Sequence, residues 1–127
     1  MRYTRIYADA EGESHFEDVE VGLVSKSYAP PAPPFDLSDP VAADRVTFFS
    51  LDRGWFGDWH PAPVRQFYFN LGGRIEVEVS DGEIRQLEPG DVALTDDLSG
   101  RGHTTRVIGD EPSVGAFVRL DPEGPAA

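Results

Sequence analysis

The stretch that decides the fold is GWFGDWHPAPVRQFYFNLGG, residues 54–73. Its second half, VRQFYFNL (64–71), is rich in β-branched and aromatic residues, which favours a β-strand. Because side chains alternate along a strand, the pattern predicts one set facing the interior and one set facing outward: Gln66, Tyr68 and Asn70 inside, Phe67, Phe69 and Leu71 outside. Three large apolar groups on an outer face need a cover, either another segment or a second copy of the chain.

Short runs of the same kind continue on both sides of this stretch. They are RYTRIYA (2–8), SHFEDVEVGLV (14–24), VTFFSL (46–51), RIEVEV (74–79), EIRQL (83–87), VALT (92–95), HTTRVI (103–108) and SVGAFVRL (113–120). Turn signals separate them, such as SDG (80–82) and EPGD (88–91). The pattern predicts an all-β domain, an antiparallel sandwich or barrel without a long helix.

The length of 127 residues predicts a single domain. We divide it into N-terminal strands with a proline-rich strap (1–45), a barrel core (46–120) and a flexible tail (121–127). The prolines in 28–40 bias that segment toward an extended conformation, and we expect it to lie along the barrel.

Composition excludes several classes of function. The formal net charge of −12 argues against nucleic acid and anionic membrane as partners. The absence of cysteine excludes disulfides, thiolate nucleophiles and cysteine-based metal sites. No apolar run approaches the ~20 residues of a membrane span, and the N-terminus lacks a signal-peptide pattern, so we expect a cytoplasmic protein.

Glycine and histidine spacing carries the most specific signal. Five residues separate Gly54 from His60, three separate Ala62 from Gln66, and six separate Gln66 from Gly73. Further along the chain, the turn Pro89-Gly90-Asp91 and the pair Gly100 and His103 form a second, looser motif. The two motifs resemble those of the cupin superfamily, over roughly residues 46–120. The resemblance implies a cupin double-stranded β-helix, an RmlC-like, jelly-roll antiparallel barrel.

The departures from the family pattern concern the metal ligands. The resemblance implies two histidines and a glutamate from the first motif and a histidine from the second, but Ala62 and Gln66 occupy two of these positions. The remaining candidate ligands are His60, Gln66 and His103, which would leave open positions for water and substrate around Zn, Mn, Fe or Ni. The loop acids Asp96 and Asp97 are candidate replacement carboxylates, and the spacing does not choose between them. We expect no organic cofactor.

Without a metal, the same two histidines remain candidates for acid–base chemistry near neutral pH. Tyr68, on the face of Gln66, is a candidate acid or orienting donor. A histidine and a tyrosine perform the proton transfers in the metal-independent sugar epimerases that this arrangement resembles. The third reading is that His60 and His103 are inert remnants of an ancestral site.

The remaining pocket candidates are aromatic or polar residues close to the two motifs: Phe48 (or Phe49), Trp55, Trp59, Asn70 and Arg101. The aromatic residues favour a partly apolar ligand over a free sugar. Arg101, beside the second motif, could attract an anionic group of the substrate.

Two functional hypotheses follow. The first is a small-molecule enzyme of the lyase or isomerase class. It would catalyse elimination, isomerisation or cyclisation by proton transfer, with or without a weakly held divalent metal. The second is a cupin that binds a small ligand without converting it, which the loss of two ligands at Ala62 and Gln66 favours. In both cases the apolar outer face predicts a homodimer.

Overall fold

The computed structural model describes residues 1–121, which fold into twelve β-strands without a helix. The strands are β1 (Arg2–Ala8), β2 (Ser14–Glu20), β3 (Val24–Lys26), β4 (Phe35–Leu37), β5 (Ala43–Leu51), β6 (Phe56–His60), β7 (Gln66–Gly72), β8 (Arg74–Val79), β9 (Ile84–Leu87), β10 (Val92–Asp96), β11 (His103–Ile108) and β12 (Ser113–Leu120). The predicted all-β class is confirmed. Apart from Asp121, the predicted flexible tail lies outside the described residues. The described part of the chain contains no helix long and apolar enough to cross a membrane.

The strands form two main sheets and one small one. The six-stranded sheet has the order β2-β1-β10-β7-β12-β5, the four-stranded sheet has the order β6-β11-β8-β9, and β3 pairs with β4. The β1–β10 pair is parallel, whereas its neighbouring pairs β1–β2 and β10–β7 are antiparallel. The predicted jelly-roll arrangement is confirmed, and the structure adds that the two large sheets do not close into a barrel, because no backbone ladder joins them.

Side-chain contacts replace the ladder where β2 lies near the β8–β9 turn. The backbone N–H of Ser14 donates to Ser80 Oγ at 2.7 Å, and the N–H of Ser80 donates to Ser14 Oγ at 2.8 Å. Close by, both ring nitrogens of His15 lie within hydrogen-bond distance of carboxylates, Asp9 at 2.6 Å and Asp81 at 2.8 Å. These contacts hold the two sheets together at one edge.

The alternation predicted for residues 64–71 is confirmed, and strand β8 alternates in the same way. In β8, Ile75 and Val77 belong to the buried cluster between the sheets, and Tyr68 of β7 joins them there. On the other side of β7, Phe67 belongs to a second apolar cluster with Leu94 on the outside of the six-stranded sheet. Strand β7 therefore contributes to two apolar clusters, one on each side of its sheet.

Strand β6 is missing from the sequence-based assignment because FGDWH contains glycine, aspartate and histidine, which are uncommon in strands. It pairs with β11, and His60 lies directly opposite His103. A close approach at Gly102 makes this possible, since a Cβ atom there would lie 2.0 Å from the His60 carbonyl oxygen. The φ of +74° at Gly102 is also a conformation that favours glycine.

Candidate functional site

A pocket of about 310 Å³ lies between the two main sheets. The side chains deepest in the fold are apolar and buried, among them Ile6, Ile75 and Val77. Trp55 and His60 also line the pocket but are partly exposed to solvent, so they mark its mouth. The polar groups of the lining are few, and they come from β6, β7, β10 and β11: His60, Gln66, Thr95, His103 and Thr105.

The most distinctive polar contact in the site joins His103 to Asp97. The Nδ1 atom of His103 lies 2.6 Å from Asp97 Oδ2, and both side chains are buried. When the imidazole is neutral, the carboxylate holds the proton on Nδ1, which leaves the Nε2 lone pair free to accept a proton. The backbone fixes the position of Asp97 as well, because the Ala62 N–H donates to its carbonyl oxygen at 3.0 Å. The second carboxylate oxygen, Oδ1, is buried and has no hydrogen-bond partner among residues 1–121.

His60 is oriented by a similar contact, but in a more exposed position. Its Nδ1 lies 2.6 Å from the carbonyl oxygen of Asp58, so the N–H donates to that oxygen and Nε2 remains free. The rings of His60 and His103 have centroids 5.2 Å apart at an interplanar angle of 46°. Two imidazole rings therefore lie side by side in the pocket, the exposed ring of His60 and the buried ring of His103. In each of them Nδ1 is engaged in the hydrogen bond described above, which leaves Nε2 available.

Tyr68 lines the pocket with its ring, while its hydroxyl is engaged elsewhere. Its Oη lies 2.7 Å from Ser113 Oγ, and Ser113 donates its own proton to Asn70 Oδ1 at 3.0 Å. A serine hydroxyl has one proton, so Tyr68 is the donor to Ser113. Burial raises the pKa of Tyr68 to about 12. The Tyr68 proton is thus held in a buried hydrogen bond and is poorly placed for transfer to a substrate.

Four residues predicted in the pocket lie elsewhere. Phe48 is 80% exposed on the outside of the six-stranded sheet, because the register of β5 turns its neighbour Phe49 inward against Tyr68. Asn70 is buried, and its amide donates to the carbonyl oxygens of Gly73 and Leu87, which makes it a structural residue.

The other two displaced residues, Trp59 and Arg101, line a separate surface groove together with Glu78. The reason for Trp59 is strand alternation, since His60 next to it faces the interior. Arg101 lies in the loop before β11, where its guanidinium is 3.3 Å from Glu13. Within the described part of the chain, no arginine or lysine therefore lines the pocket.

The sequence did not identify the role of Asp97, Thr95 or Thr105. One sequence signal pointed to Asp97, since Asp96 and Asp97 are adjacent loop acids and were both candidate replacement carboxylates. Of these, Asp96 turns away from the histidines and pairs with Arg5 at 2.9 Å and with Arg65 at 3.4 Å. Only the folded structure distinguishes the two carboxylates.

The donor set does not fit a tightly held divalent metal. Ala62 offers no ligand, Gln66 offers only a neutral amide, and Asp97 binds His103 rather than facing the pocket as a third ligand. Among the described residues, no three His, Cys, Asp or Glu side chains are grouped so that they could hold a metal ion. Transition metals favour imidazole and anionic donors, so we derive no chemical step through a metal.

Comparison with known proteins places the chain among distant structural neighbours. No protein-family model matches the sequence, and no curated protein matches it. Among solved structures, a conserved protein of unknown function from Streptococcus pyogenes, SPY1581, is 23% identical with a TM-score of 0.48 over 61% of this chain. The match spans 64% of the length of the streptococcal protein, which is less than two thirds.

Two further structures have similar scores. Protein NMB1881 from Neisseria meningitidis is 16% identical with a TM-score of 0.45, over 60% of this chain and 72% of that protein. The cupin domain of Schizosaccharomyces pombe Cnp3 is 15% identical with a TM-score of 0.49, over 85% of this chain and 73% of that domain. The chain itself has two facing sheets in jelly-roll order, and the histidines of both sequence motifs lie opposite each other on β6 and β11, which is the arrangement that the resemblance of the sequence predicts.

Proposed function

We propose that this chain is a small-molecule enzyme that catalyses proton transfer, such as isomerisation or elimination, without a metal. The observation that carries the proposal is the buried hydrogen bond between His103 and Asp97 beside the pocket. A carboxylate that holds the Nδ1–H of a histidine keeps Nε2 basic and stabilises the imidazolium that forms when Nε2 takes a proton. Burying a carboxylate is costly, and here the carboxylate lies where it orients the imidazole that lines the pocket.

In this proposal His103 is the general base and His60 is the general acid. His103 accepts a proton from a carbon next to a carbonyl group of the substrate, the electron pair of that C–H bond forms a C=C bond, and the π pair of the carbonyl group moves onto its oxygen. His60, in its protonated form, donates a hydrogen bond or the proton itself to that oxygen. In a β,γ-unsaturated carbonyl compound, return of the proton from His103 to the γ-carbon completes an isomerisation. In a substrate with a leaving group on the β-carbon, that group departs with its bonding electron pair and takes the proton from His103, which completes an elimination. Gln66, also in the lining, can orient the substrate oxygen through its amide.

The lining also supports a class of substrate. Among the residues that the structure describes, it contains no arginine, lysine, aspartate or glutamate, and most of its residues are apolar. A phosphate or carboxylate buried there would lack an arginine or lysine partner among the described residues, and the chain's net charge of −12 repels anions at long range. The favoured ligand is therefore a compact, uncharged molecule with an apolar body and one carbonyl or hydroxyl group, rather than a sugar phosphate or a free sugar.

A non-catalytic binding role is the second candidate, and the position of Tyr68 favours it. With the Tyr68 hydroxyl bonded to Ser113, proton transfer depends on the two histidines alone. A binding protein needs only the apolar lining and one hydrogen-bonding group to orient its ligand.

The test uses cyclohexanone as an uncharged probe. Its α-protons exchange with D₂O when a base removes them, so the exchange rate is measured by proton NMR with the protein as catalyst. We expect exchange above the buffer rate, and His103→Ala should lower the protein-dependent rate by about 100-fold or more. The matched control is His15→Ala, which removes the third histidine of the chain, outside the pocket.

Binding is measured separately through tryptophan fluorescence. Trp59→Phe leaves Trp55, at the pocket mouth, as the remaining tryptophan. Cyclohexanone should change its emission at lower concentrations than benzoate or glucose does. Binding without exchange would support the non-catalytic candidate, and tighter binding of benzoate would contradict the substrate class. Exchange that survives His103→Ala would overturn the enzymatic proposal.

A further inference from the structure

Thr105, on β11, lines the pocket with a polar group that the proposed reaction has not yet used. Its side chain is buried, with 9% of the residue exposed. Every second side chain of a strand lies on the same face, so Thr105 shares the inward face of β11 with His103. The pairing of β11 with β8 agrees, because Thr105 lies opposite the core residue Val77. Thr105 therefore lies beside the general base of the proposed reaction.

The hydroxyl group of Thr105 forms no hydrogen bond with any residue of 1–121. The other threonine of the pocket lining, Thr95, differs in this respect, because its hydroxyl donates to the Gln66 carbonyl oxygen at 3.2 Å. Among the described side chains, the oxygens that are both unpartnered and fully enclosed are Tyr3 Oη and Asp97 Oδ1. The Thr105 oxygen is not one of them, so it is accessible, and the space in front of it is the pocket.

A gap in the lining lies directly across from Thr105, because its neighbour on β6 is Gly57. A Cβ atom added to Gly57 would lie 2.7 Å from Cη2 of Trp55 and 3.5 Å from Cε1 of His60. Directly opposed residues of an antiparallel pair have Cβ atoms about 4.5–5.5 Å apart. Thr105, the Trp55 ring and the His60 imidazole therefore converge on one part of the pocket.

We propose that the Thr105 hydroxyl donates a second hydrogen bond to the carbonyl oxygen of the substrate, beside the one from His60. This inference rests on the proposed proton-transfer function. A carbonyl oxygen has two lone pairs, so it can accept hydrogen bonds from both groups at once. Thr105 keeps its own proton throughout the reaction, because the two histidines perform the proton transfers.

The second hydrogen bond contributes to the reaction because it strengthens as the reaction proceeds. When His103 removes the proton, negative charge develops on the carbonyl oxygen. Hydrogen bonds to a charged oxygen are about twice as strong as those between neutral groups. Thr105 therefore stabilises the enolate more than the ketone, and only this difference accelerates the reaction.

The position of Thr105 also fixes how the ligand lies in the pocket. Thr105, His60 and His103 all belong to the four-stranded sheet, so the carbonyl group points toward β6 and β11. Apolar side chains of the six-stranded sheet, such as Ile6 and Phe117, line the pocket from the other side. The apolar body of the ligand packs against them.

The contact is tested independently of catalysis with cyclohexanone that carries carbon-13 at its carbonyl carbon. Hydrogen bonds to a carbonyl oxygen move the resonance of that carbon downfield, so the resonance extrapolated to the bound state reports the donors. Thr105→Val replaces the hydroxyl with a methyl group of similar size, and its bound resonance should lie upfield of the wild-type one. Thr105→Ser keeps the hydroxyl and should keep the wild-type resonance.

The matched control is Thr104→Val. Thr104 is similarly buried, at 7% exposed, but lies on the opposite face of β11. This variant should keep both the bound resonance and the exchange rate of the wild-type protein. Circular dichroism verifies that each variant is folded.

Exchange of the α-protons in D₂O then measures the contribution to the reaction. Thr105→Val should lower kcat for exchange by about 100-fold, as the loss of one donor to a developing oxyanion does, with a much smaller change in KM. Thr105→Ser should retain most of the rate. If exchange proceeds in the wild-type protein and continues at the same rate in Thr105→Val, the inference is wrong.

The two readouts distinguish failure of this inference from failure of the proposed function. A bound carbonyl resonance that is the same in Thr105→Val and in the wild-type protein would overturn the contact, whatever the exchange rate is. A resonance that moves upfield in Thr105→Val supports the contact, even if the wild-type protein shows no exchange. In that case only the proposed catalytic function fails, and Thr105 is a ligand-binding residue.

Discussion

Replacement of Asp97 by asparagine tests the central contact of the site. The amide has the shape of the carboxylate and can still accept the Nδ1–H of His103, but it carries no charge. Hydrogen bonds to charged groups contribute about 1.5–3 kcal/mol and neutral ones about 0.5–1.5 kcal/mol, so the free energy of unfolding should fall by about 1 kcal/mol. Small domains are stable by about 5–15 kcal/mol, so the variant should remain folded.

The effect on proton transfer should be much larger than the effect on stability. An asparagine can also turn its NH₂ toward Nδ1 of His103, which favours the tautomer that carries the proton on Nε2. In that tautomer Nε2 has no lone pair available, and the imidazolium loses the negative charge that stabilises it. Exchange of the α-protons of cyclohexanone should therefore fall by about 100-fold or more in Asp97→Asn.

Three measurements together test whether Asp97 orients His103. Urea unfolding gives the change in stability, proton NMR gives the exchange rate, and nitrogen-15 NMR of the His103 ring reports which nitrogen carries the proton. The control is Asp96→Asn, which alters the neighbouring carboxylate that pairs with Arg5 and Arg65. It should leave both exchange and the His103 tautomer unchanged. If Asp97→Asn keeps the wild-type exchange rate and tautomer, the orienting role of Asp97 is refuted.

Three further predictions concern the rest of the site and the sheet edge. Protein purified without an affinity tag should contain far less than one equivalent of divalent metal by elemental analysis, and a stoichiometric metal would contradict our interpretation of the donor set. Tyr68→Phe should leave the exchange rate of cyclohexanone unchanged, because the hydroxyl donates to Ser113; a loss comparable to that of the histidine variants would show that it transfers a proton. Hydrogen bonds to Asp9 and Asp81 raise the pKa of His15. The stabilising contribution of protonated His15 should therefore be complete below the ordinary histidine pKa of about 6.5. It should disappear as the pH rises through the higher pKa of the folded state. Urea unfolding across this pH range should therefore show a decline that His15→Gln removes, and an unchanged slope in that variant would contradict the assignment.

Much of the fold could be predicted from local patterns. Strands β11 and β12 begin and end where the sequence runs HTTRVI and SVGAFVRL predict, since strand propensity and the flanking turns agree there. Strand β6 could not be predicted, because it depends on its pairing with β11 and on the close approach at Gly102 rather than on its own residues. Whether the two large sheets close into a barrel could not be predicted either, because closure depends on which strand edges meet in the folded chain.

The residues of the site also separate into those that the sequence predicts and those that only the structure identifies. The sequence by itself determined that His60 and His103 belong to one site, because their motifs have the spacing of a known fold, and it determined that two metal ligands are replaced by Ala62 and Gln66. Only the tertiary structure decided that Asp97, and not Asp96, holds His103, since neighbouring residues at a strand end point in different directions. Spacing along the chain specifies which residues are available, whereas the direction of a side chain depends on pairing and packing with elements that are distant in sequence.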